Sequence, residues 1–532
     1  MGHMQALLSN GLEENFSPFD GARKLTTEPK NRELASTRQS IASGARWMIG
    51  MRVFDRGLGM ISTVILARML VPADYGLVAM AATISELLFL ITSFGFETAL
   101  IQRKDTSDAD FNTVWTLNIV FGIIVGLLMI VGAPVSAKFF AEPRLEAVMI
   151  ALAFSPIIGG LANVGIVLFR KNLEFNKDAI LIALKRVAGF VVTLVAAFLL
   201  RDYWALVIGT LTTTTVGVVL SFSMHRYRPR FDLSQRKILF SFSFWLFLNN
   251  VIRFTNSRAL DFLIARLSGA HAVGLFSTAN EISSLPTSEL SAPINRALFP
   301  GYSKLQDNDA ELRKLILDVY AVLGVVAVPA GFGIVAVASP LVSTLLGERW
   351  LETIPLIQLL GIAGVIAVMQ NNSYLVYLAK GRPRVTTWIA GSFAILQAAF
   401  VIALLPTNGV LGAAIAVLIC RLIYIPIEIG MLLRVVHATV SSLLAVLYRP
   451  LISGLVMAGS LVAIEAWLLG LGKSAPLRLC VEIISGAVFY VVNLLLLWKI
   501  AGSPPGGERM VMKMFPNSNA IERFFDKVFR NF

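Results

Sequence analysis

Arg52-Val-Phe-Asp55-Arg56 sets two guanidinium groups one helical turn apart with a carboxylate close to both, inside a stretch that is otherwise largely apolar. Fifteen largely apolar residues separate Arg56 from Pro72. That is too few to cross a hydrocarbon layer about 30 Å thick, so Arg56 belongs well inside it. A later apolar stretch carries Asn249, Asn250, Arg253, Arg258 and Asp261, and the next carries Glu281, Glu289 and Arg296. A charge at the bilayer centre costs at least ~2.5 kcal/mol, so each of these must face water or a partner. Arginine suits phosphate, because its planar fork donates two hydrogen bonds and stays charged when partly desolvated. The candidate anion-binding residues are therefore Arg46, Arg52, Arg56, Arg253, Arg258 and Arg296, and the implied ligand is a phosphate or diphosphate.

The acids admit two uses. Asp55, Asp261, Glu281 and Glu289 are candidates to bind a coupling Na⁺ or H⁺, or Arg52/Asp55 and Arg258/Asp261 are structural clasps. Arg46, nearer the end of its stretch, either snorkels to headgroups or lines the entrance to a cavity. Lys185, Arg186 and Arg421 stay open between packing and ligand contact, while Glu465 and Glu482 read as packing or association residues.

The elements that position these residues are membrane helices. Of the 532 residues 56% are hydrophobic and 15% charged, where a soluble domain has about a quarter charged, and the mean hydropathy is +0.73. The fold class is an all-α polytopic membrane protein. At about 20 apolar residues per span, fourteen spans are predicted over 44–70, 76–101, 113–137, 146–169, 179–200, 204–225, 238–266, 274–301, 315–346, 354–379, 385–405, 409–433, 450–471 and 477–500. Pro156, Pro286, Pro293, Pro329 and Pro426 predict kinked helices. Residues 1–40 are polar and carry no signal-peptide pattern, so the first apolar stretch reads as a true span.

Charge gives the orientation. With the amino terminus in the cytoplasm, that face collects 28 Lys and Arg against eight on the other, five of them in 225–237 alone. The positive-inside rule then places both termini in the cytoplasm, with an even number of spans. The net charge of +13 is accounted for in this way, without nucleic acid as a partner.

The chain also repeats itself. Shifting 47–100 by 198 residues superposes it on 245–298 with 13 of 54 positions identical, including Ala67/Ala265, Arg68/Arg266, Gly76/Gly274 and Leu77/Leu275. The offset spans six predicted helices, so the two copies start in the same orientation. Two parallel six-helix lobes, spans 1–6 and 7–12, are expected around a central cavity, with two extra helices. The division is an amino-terminal tail (1–43), an N-lobe (44–225), a basic inter-lobe loop (226–237), a C-lobe (238–433), a surface helix at 437–448 with spans 13 and 14 (434–500), and an amphipathic cytoplasmic tail (501–532).

Other chemistries find no residues. Gly-x-x-x-x-Gly-Lys-Ser/Thr and His-Glu-x-x-His are absent, and the only cysteines, Cys420 and Cys480, sit alone in apolar stretches. No cofactor, metal or catalytic residue is assigned. A transporter is expected rather than an enzyme, because every predicted outer loop is too short to hold a catalytic site.

Ile65-Leu-Ala-Arg-Met-Leu-Val-Pro-Ala-Asp-Tyr-Gly-Leu77, with Gly95-Phe-Glu-Thr-Ala-Leu-Ile-Gln102, resembles the opening of Wzx-type polysaccharide flippases. These belong to the multidrug/oligosaccharidyl-lipid/polysaccharide exporter superfamily. The resemblance extends over about residues 40–500. It implies transfer of an undecaprenyl-diphosphate-linked oligosaccharide to the outer leaflet of the bacterial inner membrane by alternating access, ahead of exopolysaccharide, capsule or O-antigen synthesis. It implies membrane lipids, the polysaccharide polymerase and chain-length proteins as partners. In the similar lipid II flippases, arginines of helix 1 line a cationic cavity, and the matching positions are Arg46, Arg52 and Arg56. Those flippases place Na⁺-binding acids on helices 7 and 11; Asp261 answers for the first, while span 11 offers only Gln397. The alternatives are a drug or cation antiporter of the same superfamily, a membrane glycosyltransferase or ligase, and a scaffold of a polysaccharide export complex.

Overall fold

The structure, a computed structural model, describes residues 50–90 except 52, then 96, 100, 106–236 except 173, 260–287, 302, 305, 307–504 and 507–509. All regular structure among them is helical. We number the helices α1 (53–69), α2 (Pro72–Leu90), α3 (Asp108–Phe140), α4 (Arg144–Leu152), α5 (Phe154–Gly160), α6 (Val167–Lys171), α7 (Phe175–Leu200), α8 (Trp204–Met224) and α9 (Leu260–Thr287). They continue as α10 (Asp309–Ala336), α11 (Ala338–Leu345), α12 (Thr353–Ala379), α13 (Pro383–Val435), α14 (Val440–Gly470) and α15 (Ala475–Ile500). Nine helices among the described residues are long and apolar enough to cross a membrane, or ten if the bent pair Arg144–Gly160 and Val164–Lys171 counts as one span.

Four features differ from the expected elements. The fourth predicted span is broken into α4, α5 and α6 with a 66° bend. Gly122 and Gly160 bring α3 and α5 so close that a Cβ at either would strike the other helix's backbone, and the chain turns beyond Gly160. The ninth predicted span divides at Val337 into α10 and α11. The surface helix expected at 437–448 is instead the start of α14, a single 31-residue helix whose first turn is capped by the Thr439 hydroxyl, accepting from Ser442 N at 3.3 Å. Spans 11 and 12 run together as α13, turning at Gly409 (φ 58°). Pro329, Pro426, Pro134 and Pro450 lie inside continuous helices.

Packing follows small residues, as it must where lipid removes the hydrophobic drive between helices. Gly189 on α7 faces Thr213 on α8, Gly209 on α8 faces Thr193 on α7, and neither glycine could carry a Cβ without overlapping the opposite hydroxyl. Thr193, Thr210 and Thr213 return their hydroxyls to carbonyls four residues back, so these polar side chains satisfy themselves inside the bilayer.

The basic loop is strapped down. Asn112 Oδ1 on α3 accepts from the Tyr227 hydroxyl at 2.6 Å and from Arg230 N at 2.8 Å, and Asp232 N donates to Thr116 Oγ1 at 3.0 Å. Burial, reinforced by the nearby Asp108 and Asp232 carboxylates, pushes the Tyr227 phenol up to about 12, so its hydroxyl stays a donor at every physiological pH.

Glu465 on α14 pairs with Arg478 on α15, with the fully buried Glu482 one turn along the same helix. This is the packing role expected of the two acids. Replacing Arg478 with Leu strands a buried carboxylate, and stability should fall by about 3–5 kcal/mol. A drop in melting temperature of the detergent-solubilised protein, smaller for Arg478→Lys, checks this.

Candidate functional site

α1 places Asp55, Arg56, Gly59 and Thr63 along one face, at the spacing of successive helical turns. Opposite them α7 presents Arg186, Phe190 and Thr193, α8 presents Thr210 and Thr213, and α9 presents Glu281 and Leu285. These walls enclose an open cavity of about 380 Å³, to which α2 adds Tyr75 and Val78. Three residues singled out from sequence, Asp55, Arg56 and Glu281, are thus brought to one chamber although 226 positions separate Asp55 from Glu281.

The fourth charge of the chamber is Arg186, whose role the sequence left open. Its Nε donates to Asp55 Oδ1 at 2.8 Å, in a pair whose side chains are 55% and 36% exposed. A pair this wet is worth about 0–1 kcal/mol, so its guanidinium can be exchanged to another anion at little cost. Asp55 is thus paired with Arg186 across the chamber, while the expected Arg52/Asp55 and Arg258/Asp261 clasps involve arginines outside the described residues. Asp261 lies half-buried on α9 outside these walls. Arg46, Arg52, Arg253, Arg258, Arg296 and Glu289 lie outside the described residues. Among the described ones the wall holds two guanidinium groups and two carboxylates and is charge-balanced. Among the described residues, no group of three or more His, Cys, Asp or Glu side chains is placed to hold a metal.

One end of the chamber is shut. Arg68, one residue from the end of α1, donates through Nε to Leu345 O at 3.2 Å and through Nη2 to Thr344 O at the end of α11. The fully buried Trp350 donates Nε1 to Ala67 O at 2.9 Å and stands edge-on to Tyr75 at 5.2 Å. Beside it the two copies of the repeat cross. A Cβ on Gly76 would overlap the Ala270 carbonyl, and a Cβ on Gly274 would overlap the Pro72 carbonyl. Pro72 and Gly76 shifted by 198 are Ala270 and Gly274, so this is one contact made twice, by identical positions of the repeat. The copies then diverge: Arg266, the counterpart of Arg68, lies over the Phe139 ring at 5.0 Å. Sequence reasoning saw the Ala-Arg and Gly-Leu pairs as a repeat signature without seeing that they close the molecule, and Trp350 gave no signal at all.

A bundle of apolar helices around an open chamber that gathers four charged side chains defines an integral membrane protein of the polytopic, cavity-bearing class. A polysaccharide biosynthesis protein family model matches residues 65–355, more than half of the chain, and the chain belongs to that family. It is 28% identical to the lipopolysaccharide biosynthesis protein WzxC of Escherichia coli K12, over 65% of this chain and 71% of that one. It is 25% identical to the teichuronic acid biosynthesis protein TuaB of Bacillus subtilis 168, over 86% and 96%. Among solved structures the lipid II flippase MurJ in an inward closed conformation superposes with a TM-score of 0.67 at 13% identity, over 86% of this chain and 99% of that one. An inward-facing multidrug transporter of the MATE family gives 0.57 at 14% identity, over 71% and 94%. The Wzx-type resemblance of the opening motif is borne out by these relatives, and the two structures share the fold.

The crossing yields a prediction. In a chain with Cys420 and Cys480 replaced by serine, a Leu70→Cys thiol, fully buried at this closed end, should resist a polar maleimide. Adding Gly76→Leu should expose it, because the larger side chain cannot fit against the Ala270 carbonyl. Unchanged protection would show that the crossing does not hold the end shut.

Proposed function

We propose that this chain is a flippase that carries an undecaprenyl-diphosphate-linked oligosaccharide from the cytoplasmic to the outer leaflet of the inner membrane by alternating access. The observation that carries this reading is the chamber in which Asp55, Arg56, Arg186 and Glu281 meet, closed at the Arg68–Trp350 end. The opposite end carries the basic loop 225–236, and the positive-inside rule makes it cytoplasmic. The structure then corresponds to the state that loads substrate from the cytoplasm.

In this mechanism the diphosphate enters between the halves and takes the Arg186 guanidinium from Asp55, while Arg56 supplies a second fork. The lipid tail stays in the bilayer and only the charged head needs the polar chamber. Release of Asp55 from Arg186 leaves a free carboxylate in the chamber, which is where a coupling H⁺ or Na⁺ would act; Glu281 is the second such acid. Opening the outer end means breaking the Arg68 and Trp350 hydrogen bonds and parting the glycine crossing. Two like-oriented six-helix lobes and fourteen spans complete the reading, with Arg52, Arg253, Arg258 and Arg296 as further cations of the chamber. A polymerase and chain-length proteins would take the product onward.

Depleting the protein should leave the lipid-linked oligosaccharide on the cytoplasmic leaflet, unreactive to a membrane-impermeant sugar-oxidising probe added outside. Normal outward transfer with failed polymerisation would instead favour an enzyme or scaffold. Arg56→Ala and Arg186→Ala should each lower transfer at least tenfold with normal insertion, and wild-type transfer by both would make the charges structural.

A further inference from the structure

A second chamber, of about 500 Å³, lies in the carboxy-terminal half between α12 and the two arms of α13. It shares no residue with the first. Its walls set polar groups among apolar ones: Gln370, Asn371 and Tyr374 come from α12, and Gln397, Arg421 and Glu428 from α13, beside Ile389 and Phe393. Bare polar groups at this depth are costly, so the chamber holds water or a polar ligand.

Two of its polar groups, Arg421 and Gln370, are fixed against each other in advance. Arg421 Nη1 donates to Gln370 Oε1 at 2.7 Å, and Gln370 Nε2 returns a bond to Arg421 O at 3.3 Å. The guanidinium lies over the Phe393 ring at 4.9 Å, and Tyr424, edge-on to that ring at 5.2 Å, is itself tied to Ser392 Oγ at 2.7 Å. Tyr377 donates to Glu428 O at 2.8 Å, locking α12 to α13 beside the Glu428 carboxylate. Tyr374 is the loose member, a large ring 45% exposed at the chamber.

We infer that this chamber is a sugar-recognition subsite for the glycan of the lipid-linked substrate, separate from the charged chamber that takes its diphosphate. A pyranose offers an apolar C–H face and a rim of paired hydroxyls. The Tyr374 ring matches the face, while planar amide, guanidinium and carboxylate groups match the rim, each engaging neighbouring hydroxyls with two atoms. A metal cation is disfavoured by the Arg421 guanidinium in the same wall as Glu428, and an acyl chain by the charged and amide groups that share the wall with Ile389, Phe393 and the alanines. The volume suits one or two sugar rings, at the lower end of the roughly 300–1,000 Å³ of ligand pockets.

The inference rests on the flippase reading, and the test separates the two. The full chain in lipid nanodiscs is titrated with undecaprenyl diphosphate, which has no sugar, and with lipid-linked oligosaccharide extracted from membranes of the depleted host. Wild type should bind both, the second more tightly. Tyr374→Ala and Gln397→Ala should each weaken the oligosaccharide about tenfold and leave undecaprenyl diphosphate unchanged, and Tyr374→Phe should restore the stacking and most of the affinity. Equal oligosaccharide affinity in wild type and both alanine variants overturns the subsite, as does parallel loss of both ligands. Failure of wild type to bind either ligand overturns the flippase reading itself.

Discussion

The arrangement depends on two backbones touching where no side chain can stand between them. At Gly76 and Gly274 the start of α2 and the part of α9 just beyond Gly269 (φ 77°) meet carbonyl to glycine, twice, through equivalent positions of the repeat. Such contact fixes distance and angle far more tightly than side-chain packing, because there is no rotamer to adjust. With α2 and α9 pinned there, the space between the helices that lead away must be filled by protein, water or ligand. The chamber at Asp55, Arg56, Arg186 and Glu281 is the consequence, and its charges are tolerable only because it is open.

The lock around the crossing is built from groups that are strong but reversible. Arg68 donates to two backbone carbonyls at a helix end, where such acceptors are in excess, and Trp350 reaches the Ala67 carbonyl in the same way. Neither bond is between paired charges, so breaking them leaves no stranded ion. A closure meant to be permanent would have bound charge to charge in a dry site, as Arg478 and Glu465 do in α14 and α15. The helices outside the repeat thus hold the costly, static ion pair, while the repeated helices hold the exchangeable ones.

Much of this was legible beforehand, for physical reasons. A charge inside an apolar stretch must be explained wherever it occurs, which is why Asp55, Arg56 and Glu281 stood out and why they meet. The repeat was legible because close backbone approach admits only glycine, so Gly76 and Gly274 are matched. What was hidden was partnership. Arg186 is one of two adjacent cations in α7, and its bond to Asp55 depends on how α7 crosses α1, which no local pattern encodes. Trp350 lies 283 positions from its acceptor, and the 66° bend between α5 and α6 follows Gly160, whose close packing against the α3 backbone depends on how the two helices meet. The surface helix at 437–448 failed for another reason: the same amphipathic residues also extend a long helix, and Thr439 caps it at the start.

Under the proposed function, the two chambers would divide the recognition problem between the two parts of the substrate. A diphosphate is the same on every lipid-linked glycan and asks only for mobile guanidinium groups, which the exposed Arg186–Asp55 pair would supply. A glycan differs from one polymer to the next and asks for fixed planar groups, which the Arg421, Gln370 and Phe393 cluster would supply. Exchangeable charge serves release, because a headgroup held as tightly as a buried ion pair would not leave the outer leaflet's side. Preorganised polar groups serve discrimination, because an amide left without its hydroxyl in a closed pocket costs about 1–3 kcal/mol. Placing both tasks in one chamber would force the same side chains to be loose and rigid at once, and the separation of α12 and α13 from the crossing helices removes that conflict.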